Sequence, residues 1–425
     1  MGAILLIVFV ATLFIDIPIA VCLGIAAVVA MIVGDMSLMV VPQTMFTAVN
    51  SFSLMAIPFF VLAGNIMASG GISRRLVNFA NLLIGGIRGG LALTSILASM
   101  IFAAISGSCP ATTAAIGSLM IPEMKENGYE IDFAAATVAA AGTVGQVIPP
   151  SVPMVTYCVL AGCSVGKLFL AGIGPGILMG LAMMIIARRY AVTKHVPVTK
   201  TKKSFKEAGM IFIDSLWAIL MPVIILGGIY SGIFTPTESA AVAVVYGLLV
   251  GRFIYKDLHM KELVDILAKS AAGTAVIMLI MGTAGSFSWV LTSQRIPQLI
   301  AKTLLGLTTN KYVLLLLFNI VLLIAGCFLN PSAAVILLTP ILLPVLTQVG
   351  VSPYLVGIVM IVNLAVGQVT PPVGSCLYVA CNIAHIKLEP LVKAIMPYIV
   401  ILIAVILAIT YIEPISLFLP MRFGN

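Results

Sequence analysis

The sequence predicts an all-α polytopic membrane protein built from two inverted repeats, each holding a re-entrant helical hairpin and an interrupted helix. Three observations carry this. The 425 residues are 61% hydrophobic and 8% charged, with a mean hydropathy of +1.22, a composition that no ordinary soluble surface tolerates. The stretch Ala141-Gly-Thr-Val-Gly-Gln-Val-Ile-Pro-Pro150 returns in its core as Val366-Gly-Gln-Val-Thr-Pro-Pro372. Other landmarks follow at the offset that carries Gly145 onto Gly367, within two residues: Asp16 and Glu238, Ser73-Arg-Arg75 and Ser293-Gln-Arg295, Pro122 and Pro344, Pro175 and Pro397.

Apolar runs give the elements in order, by the criterion that about 20 residues span a bilayer. The first repeat, 1–190, has spans at 2–14 and 17–34, an interfacial piece at 38–50 and a span at 53–70. An amphipathic arm at 74–87 follows. Apolar arms at 89–105 and 111–122 flank Ser106-Gly-Ser-Cys-Pro110, too short and too polar for an external loop, so 88–125 reads as a re-entrant hairpin. An interrupted helix at 133–163 and a span at 168–188 close the repeat. A basic linker from Arg188 to Lys206 leads to the second repeat, 211–425. Its spans are 212–233, 237–254 and 270–292, its arm 295–305, its hairpin 311–346 with Asn330-Pro-Ser332 at the tip, its interrupted helix 353–385 and its last span 391–417.

Lysine and arginine counts set the orientation. With the central linker in the cytoplasm, every basic residue except Lys167, Arg295, Lys302, Lys311 and Arg422 falls inside, both termini lie outside, and the two hairpins enter from opposite faces. The first apolar run has no basic residue before Arg74 and no small-x-small cleavage site, and is read as a retained helix.

The double prolines mark where chemistry is expected. Proline has no N–H, so Pro149 and Pro150 strip the carbonyls of Gly145 and Gln146 of helical partners, and Pro371 and Pro372 do the same to Gly367 and Gln368. Broken backbone survives in hydrocarbon only where protein, water or ligand satisfies it. Two symmetric breaks, each with a polar hairpin tip, therefore predict a paired binding site of the kind used by transporters with inverted repeats. The carbonyl end of the arm finishing at Ser106 suits a cation, and the N–H end of the arm opening at Cys109-Pro110 suits an anion. Sodium prefers several neutral oxygens. One expected shell is Ser106, Ser108, Gly145, Ile148 and Pro150; its mirror is Gly326, Asn330, Gly367, Thr370 and Pro372, with Asn330 also an N-cap for the arm opening at Pro331. Expected substrate contacts are Cys109, Pro110, Thr112, Gln146, Ser332 and Gln368.

On the paired Gly-Gln-Val-x-Pro-Pro motifs and their hairpins, nearly the whole chain resembles the large membrane subunit of TRAP transporters, the tripartite ATP-independent periplasmic family that takes up sialic acids, C4-dicarboxylates and related organic anions. The resemblance implies an elevator mechanism in the bacterial inner membrane and sodium symport held at the tips and breaks named above. It also implies a soluble periplasmic substrate-binding protein and a small membrane subunit, expected as a separate polypeptide because the chain shows no extra helices for it. By resemblance, sialic acid is slightly favoured as substrate. The alternatives are a stand-alone sodium-coupled anion transporter of the wider hairpin superfamily, or a channel or scaffold subunit.

Other features argue against further chemistry. The basic residues sit in short links, where they set orientation, and not in a nucleic-acid face. The seven cysteines lie in apolar segments without metal-ligand spacing and read as buried thiols. Asp16, Glu238, Asp214 and Glu413 fall near span ends, where capping is an adequate explanation. His195, His259 and His385 share no face, and no nucleophile–base pair or nucleotide loop is discernible, so neither a metal centre nor an enzyme is expected.

Overall fold

The computed structural model describes residues 2–15, 17–196, 204–308 and 310–423. Among them all regular structure is helical. The first half comprises α1 (Gly2–Phe14), α2 (Ile19–Val33), α3 (Val40–Val49), α4 (Ala56–Ser69), α5 (Ile72–Ile84), the hairpin α6 (Gly90–Ser106) and α7 (Cys109–Glu126), the broken helix α8 (Ile131–Gly142) and α9 (Val152–Ala161), and α10 (Val165–Thr193). The second comprises α11 (Phe205–Tyr230), α12 (Pro236–Leu249), α13 (Met260–Ser293), α14 (Ile296–Leu307), the hairpin α15 (Lys311–Phe328) and α16 (Pro331–Gln348), the broken helix α17 (Pro353–Gly367) and α18 (Ser375–Ala384), α19 (Leu388–Tyr411) and α20 (Pro414–Phe423). The halves are inverted repeats, the single helix α13 standing at the offset where the first half has α3 and α4.

Proline and glycine punctuate the chain as their geometry dictates. Pro236, Pro331, Pro353 and Pro414 open helices, where a missing N–H costs nothing. Gly107 and Gly162 close α6 and α9 with φ of 60° and 64°, left-handed values that a Cβ disfavours. The arm α5 buries Ile72, Leu76, Val77 and Ala80, a single helical stripe. The innermost helices are the leading halves of the breaks: every residue from Phe133 to Gly142 and from Leu355 to Gly367 is buried. Around them, α13 packs along α2, α3 and α4, and α12 along α4 and α11, while α7, α8 and α18 pack together. Eight helical stretches among the described residues are long and apolar enough to cross a bilayer.

Three boundaries differ from the sequence reading. The basic linker is shorter than 188–206, because α10 continues to Thr193 and α11 starts at Phe205; residues 197–203 lie outside the described residues. The link before the span at 270 is helical: α13 begins at Met260 and runs 34 residues, about 50 Å at 1.5 Å per residue, well beyond the hydrocarbon thickness. The last span stops at Tyr411, where Pro414 starts a separate helix.

Candidate functional site

At the first hairpin tip, Gly107 in the left-handed region and Ser108 in an extended conformation reverse the chain between α6 and α7. Ser106 Oγ lies 2.6 Å from Thr112 Oγ1, which ties the two arms. The Ser108 side chain makes no capping bond. Cys109 is fully buried and its thiol donates to the Thr143 carbonyl at 3.3 Å, so it points into the first break and away from solute.

That break is a 3-10 turn, Thr143–Gln146, followed by Pro149 and Pro150 in a cis linkage. The N–H groups of Val147 and Ile148 both donate to the Val144 carbonyl, each at 3.0 Å. Among the described residues no donor reaches the carbonyl oxygen of Gly145 or Gln146, as the prolines require. The tip presses onto this break. A Cβ on Gly145 would lie 2.6 Å from both the Ser108 carbonyl oxygen and Thr112 Oγ1, and one on Gly107 would lie 2.9 Å from the Pro150 oxygen. Ser106, Ser108, Gly145 and Pro150 thus converge. Ile148 belongs to the same turn, its side chain packed against Gly176. Ser151, which the sequence reading passed over, is 1% exposed, and its hydroxyl has no partner.

The second break does not mirror the first. Gly326 and Gly367 touch, since a Cβ on Gly367 would fall 2.5 Å from the Gly326 backbone. The Gly367 carbonyl, expected to be free, accepts from Thr370 N at 3.0 Å, and that of Gln368 accepts from Cys376 N at 3.1 Å. The first is a local turn made before the prolines, and the second follows Gly374, whose φ of 51° turns the chain back and whose own N–H reaches the Cys327 carbonyl at 3.4 Å. Thr370 Oγ1 is bonded to the Val366 carbonyl at 2.9 Å, and Pro372 is exposed. Asn330 caps α16 as expected, its Oδ1 accepting from Ser332 N at 3.0 Å.

Both tips and the first break open onto one cavity of about 540 Å3. Its polar wall is Ser106, Ser108, Gln146, Asn330, Ser332 and, from the facing helices, Asn65, whose Nδ2 donates to Ser270 Oγ on α13 at 2.8 Å. Gln368 stands one bond behind: its Nε2 donates to Gln146 Oε1 at 3.2 Å and its Oε1 accepts from Ser375 Oγ at 2.8 Å. Thr112 is likewise behind Ser106, while Pro110, Thr370 and Pro372 do not line the cavity. Asn65 was detectable as a lone amide inside an apolar span.

Among the described residues the cavity has no ionisable side chain, and no three His, Cys, Asp or Glu come together. The oxygens on offer are neutral carbonyls and hydroxyls, a donor set that fits a monovalent hard cation. Carboxylates near the span ends are otherwise engaged. Glu238 accepts from the Thr235 N–H at 2.8 Å and its hydroxyl at 2.9 Å, closing a capping box on α12. Asp214 pairs with Arg75 at 3.1 Å and Glu413 with Lys311. Asp16 lies outside the described residues.

A polar chamber held by two hairpins deep inside an apolar, inverted-repeat body gives a solute a place to sit within the membrane, which defines a membrane permease. Residues 6–415 match the family model described as "Tripartite ATP-independent periplasmic transporter, DctM component", and the chain belongs to that family. It is 46% identical over 96% of its length to the isethionate TRAP transporter permease protein DctMQ of Oleidesulfovibrio alaskensis, of which it spans 64%. It is 44% identical to the C4-dicarboxylate TRAP transporter large permease protein DctM of Pseudomonas aeruginosa, covering 89% of each chain. To the sialic acid TRAP transporter large permease protein SiaM of Vibrio cholerae it is 38% identical, over 90% of this chain and 89% of that one. In fold it is similar to the YdaH transporter of Alcanivorax borkumensis, with a TM-score of 0.68 at 18% identity over 88% of this chain and 89% of that one. The chain is a transport protein and not an enzyme.

Proposed function

We propose that this chain is the membrane-embedded carrier of a sodium-coupled symporter that brings an organic anion into the bacterial cytoplasm. The observation that carries the reading is the first break: two carbonyls without donors, at Gly145 and Gln146, and one buried hydroxyl without a partner, Ser151 Oγ, beside a hairpin tip that lines the cavity. Unsatisfied buried acceptors are costly, and a sodium ion bound by neutral oxygens relieves that cost. With no basic side chain among the described residues of the cavity, the bound cation and the N-terminal ends of α7 and α16 supply the positive potential that an anion needs. Anion and cation then raise each other's affinity, as linkage demands.

The similar proteins are named for isethionate, C4-dicarboxylates and sialic acid, which supports a carboxylate or sulfonate as the class of solute without favouring sialic acid. Movement is assigned to the hairpins and broken helices, travelling as an elevator against a framework of α1–α4 and α11–α13. A small membrane subunit and a periplasmic substrate-binding protein complete the system. The basic residues in the links support a cytoplasmic α10–α11 connection with both ends of the chain in the periplasm. The deciding test is uptake by the chain reconstituted with its small subunit and binding protein, under sodium, potassium and proton gradients in turn. Sodium alone is expected to drive accumulation; equal uptake under all three would refute the coupling.

A further inference from the structure

Six of the seven cysteines are buried, and Cys163 is the exception. It follows the left-handed Gly162 that ends α9, in a turn whose N–H groups at 162 and 163 both return to the Cys158 carbonyl. This closure stacks residue 163 on the last helical turn and brings its sulfur to 3.4 Å from that of Cys158. The two sulfurs stand in contact, at a separation to be compared with the roughly 2.05 Å of a disulfide. Cys163 also lines a crevice of about 370 Å3 between this turn and the loop joining α11 to α12, where Lys167, Ser231 and Gly232 form part of the wall. Reagents therefore reach one sulfur of a pair whose other member is 2% exposed.

We infer that Cys158 and Cys163 are a redox-active dithiol that closes to a disulfide at the outer end of the first broken helix. The Cys163 thiolate attacks one sulfur of an oxidising disulfide and releases the first thiol. The Cys158 thiolate then attacks Cys163 in the mixed disulfide and releases the second, so two electrons and two protons leave with the oxidant. The oxidant belongs to the thiol–disulfide couples of an oxidising compartment, an assignment that rests on the orientation proposed above. Closure staples the turn into the shape it already holds.

The test uses the full chain in lipid nanodiscs, first reduced and then exposed to oxidised glutathione. After denaturation and maleimide alkylation, the oxidised protein is expected to carry two fewer adducts than the reduced one, with a cross-linked peptide joining positions 158 and 163. Cys158→Ser removes the second attack and is expected to trap glutathione on Cys163. Wild-type protein that keeps both thiols, or holds glutathione on Cys163 without forming the bridge, overturns the inference. A membrane-impermeant maleimide on reduced whole cells separates this from the orientation. A bridge that forms in nanodiscs while Cys163 resists that reagent in cells supports the dithiol and refutes the outward placement.

Discussion

The two breaks share the letters Gly-Gln-Val-x-Pro-Pro, yet their carbonyls end in different states. At the first, the oxygens of Gly145 and Gln146 receive no donor; at the second, Thr370 N and Cys376 N serve Gly367 and Gln368. At Gly145 and Gly367 the turn before the prolines makes the difference, since Ile148 N bonds to Val144 where Thr370 N bonds to Gly367; at Gln146 and Gln368 the residues after the prolines do. The second break continues Val-Gly-Ser, and Gly374 adopts the left-handed conformation that swings the next N–H groups back over the break. The first continues Ser-Val-Pro, with no glycine to turn and with Pro153 lacking an N–H. Prolines release oxygens, but the turns on either side of them decide whether the chain reclaims them. The pseudo-symmetric pair is thus unequal, the first break leaving two carbonyls without donors and the second braced by its own backbone.

The largest effect is expected where the halves agree. Gly145→Ala forces a methyl against the Ser108 carbonyl, and Gly367→Ala forces one into the Gly326 backbone. Overpacking of this kind costs about 1–3 kcal/mol, and with backbone on the far side little can yield. Both variants should lose uptake to background and unfold at lower temperature in detergent. If Gly145→Ala transports normally while Gly367→Ala does not, the first tip is not held against its break.

Next in size is Gly374→Ala, which attacks the brace itself. A Cβ there meets the Gln368 carbonyl oxygen at 3.0 Å and Leu377 Cδ1 at 2.9 Å, on a backbone with φ of 51°. Left-handed strain alone costs a non-glycine residue roughly 1–2 kcal/mol. Thermal stability should fall by that order with sodium or potassium alike. A loss of stability seen only in sodium would mean that the second break also serves the cation.

Much of this architecture was legible because apolar runs, prolines and glycines are local signals. The hairpins, the breaks and the carbonyls freed at 145 and 146 all follow from missing N–H groups and polar tips. What escaped was tertiary. That Cys376 reaches back to Gln368 depends on the path of seven intervening residues, which no periodicity reports. Ser151 reads as an ordinary helix-starting serine until burial shows its hydroxyl alone. The start of α13 was misjudged because Lys261, Glu262, Asp265 and Lys269 look like a polar link, although the same residues suit a helix that projects beyond the bilayer.

Ser151 offers a sharper measure of the inequality, since its counterpart in the second repeat is Val373, which has no hydroxyl and is 40% exposed. Ser151→Ala deletes a buried oxygen that has no partner, so without sodium its melting temperature should match or exceed that of the parent. With sodium the stabilisation should shrink, as for a binding site weakened about tenfold, a loss of about 1.4 kcal/mol. Val373→Ala should leave the sodium response unchanged. Equal sodium responses in the Ser151→Ala variant and the parent would remove that hydroxyl from the ligand set.

The smallest effect separates the two hairpin tips. Asn330 holds the Ser332 N–H through its side chain, whereas Ser108 at the equivalent place caps nothing and faces the cavity. Asn330→Ala should therefore cost about 1 kcal/mol of stability, the usual worth of an N-cap, whichever cation is present. Ser108→Ala should cost less than that in potassium and should show itself instead as a weaker sodium-dependent rise in melting temperature. A cation-independent loss from Ser108→Ala as large as that from Asn330→Ala would make both tips structural caps. The division between an open first break and a braced second one would then have to rest on backbone carbonyls alone.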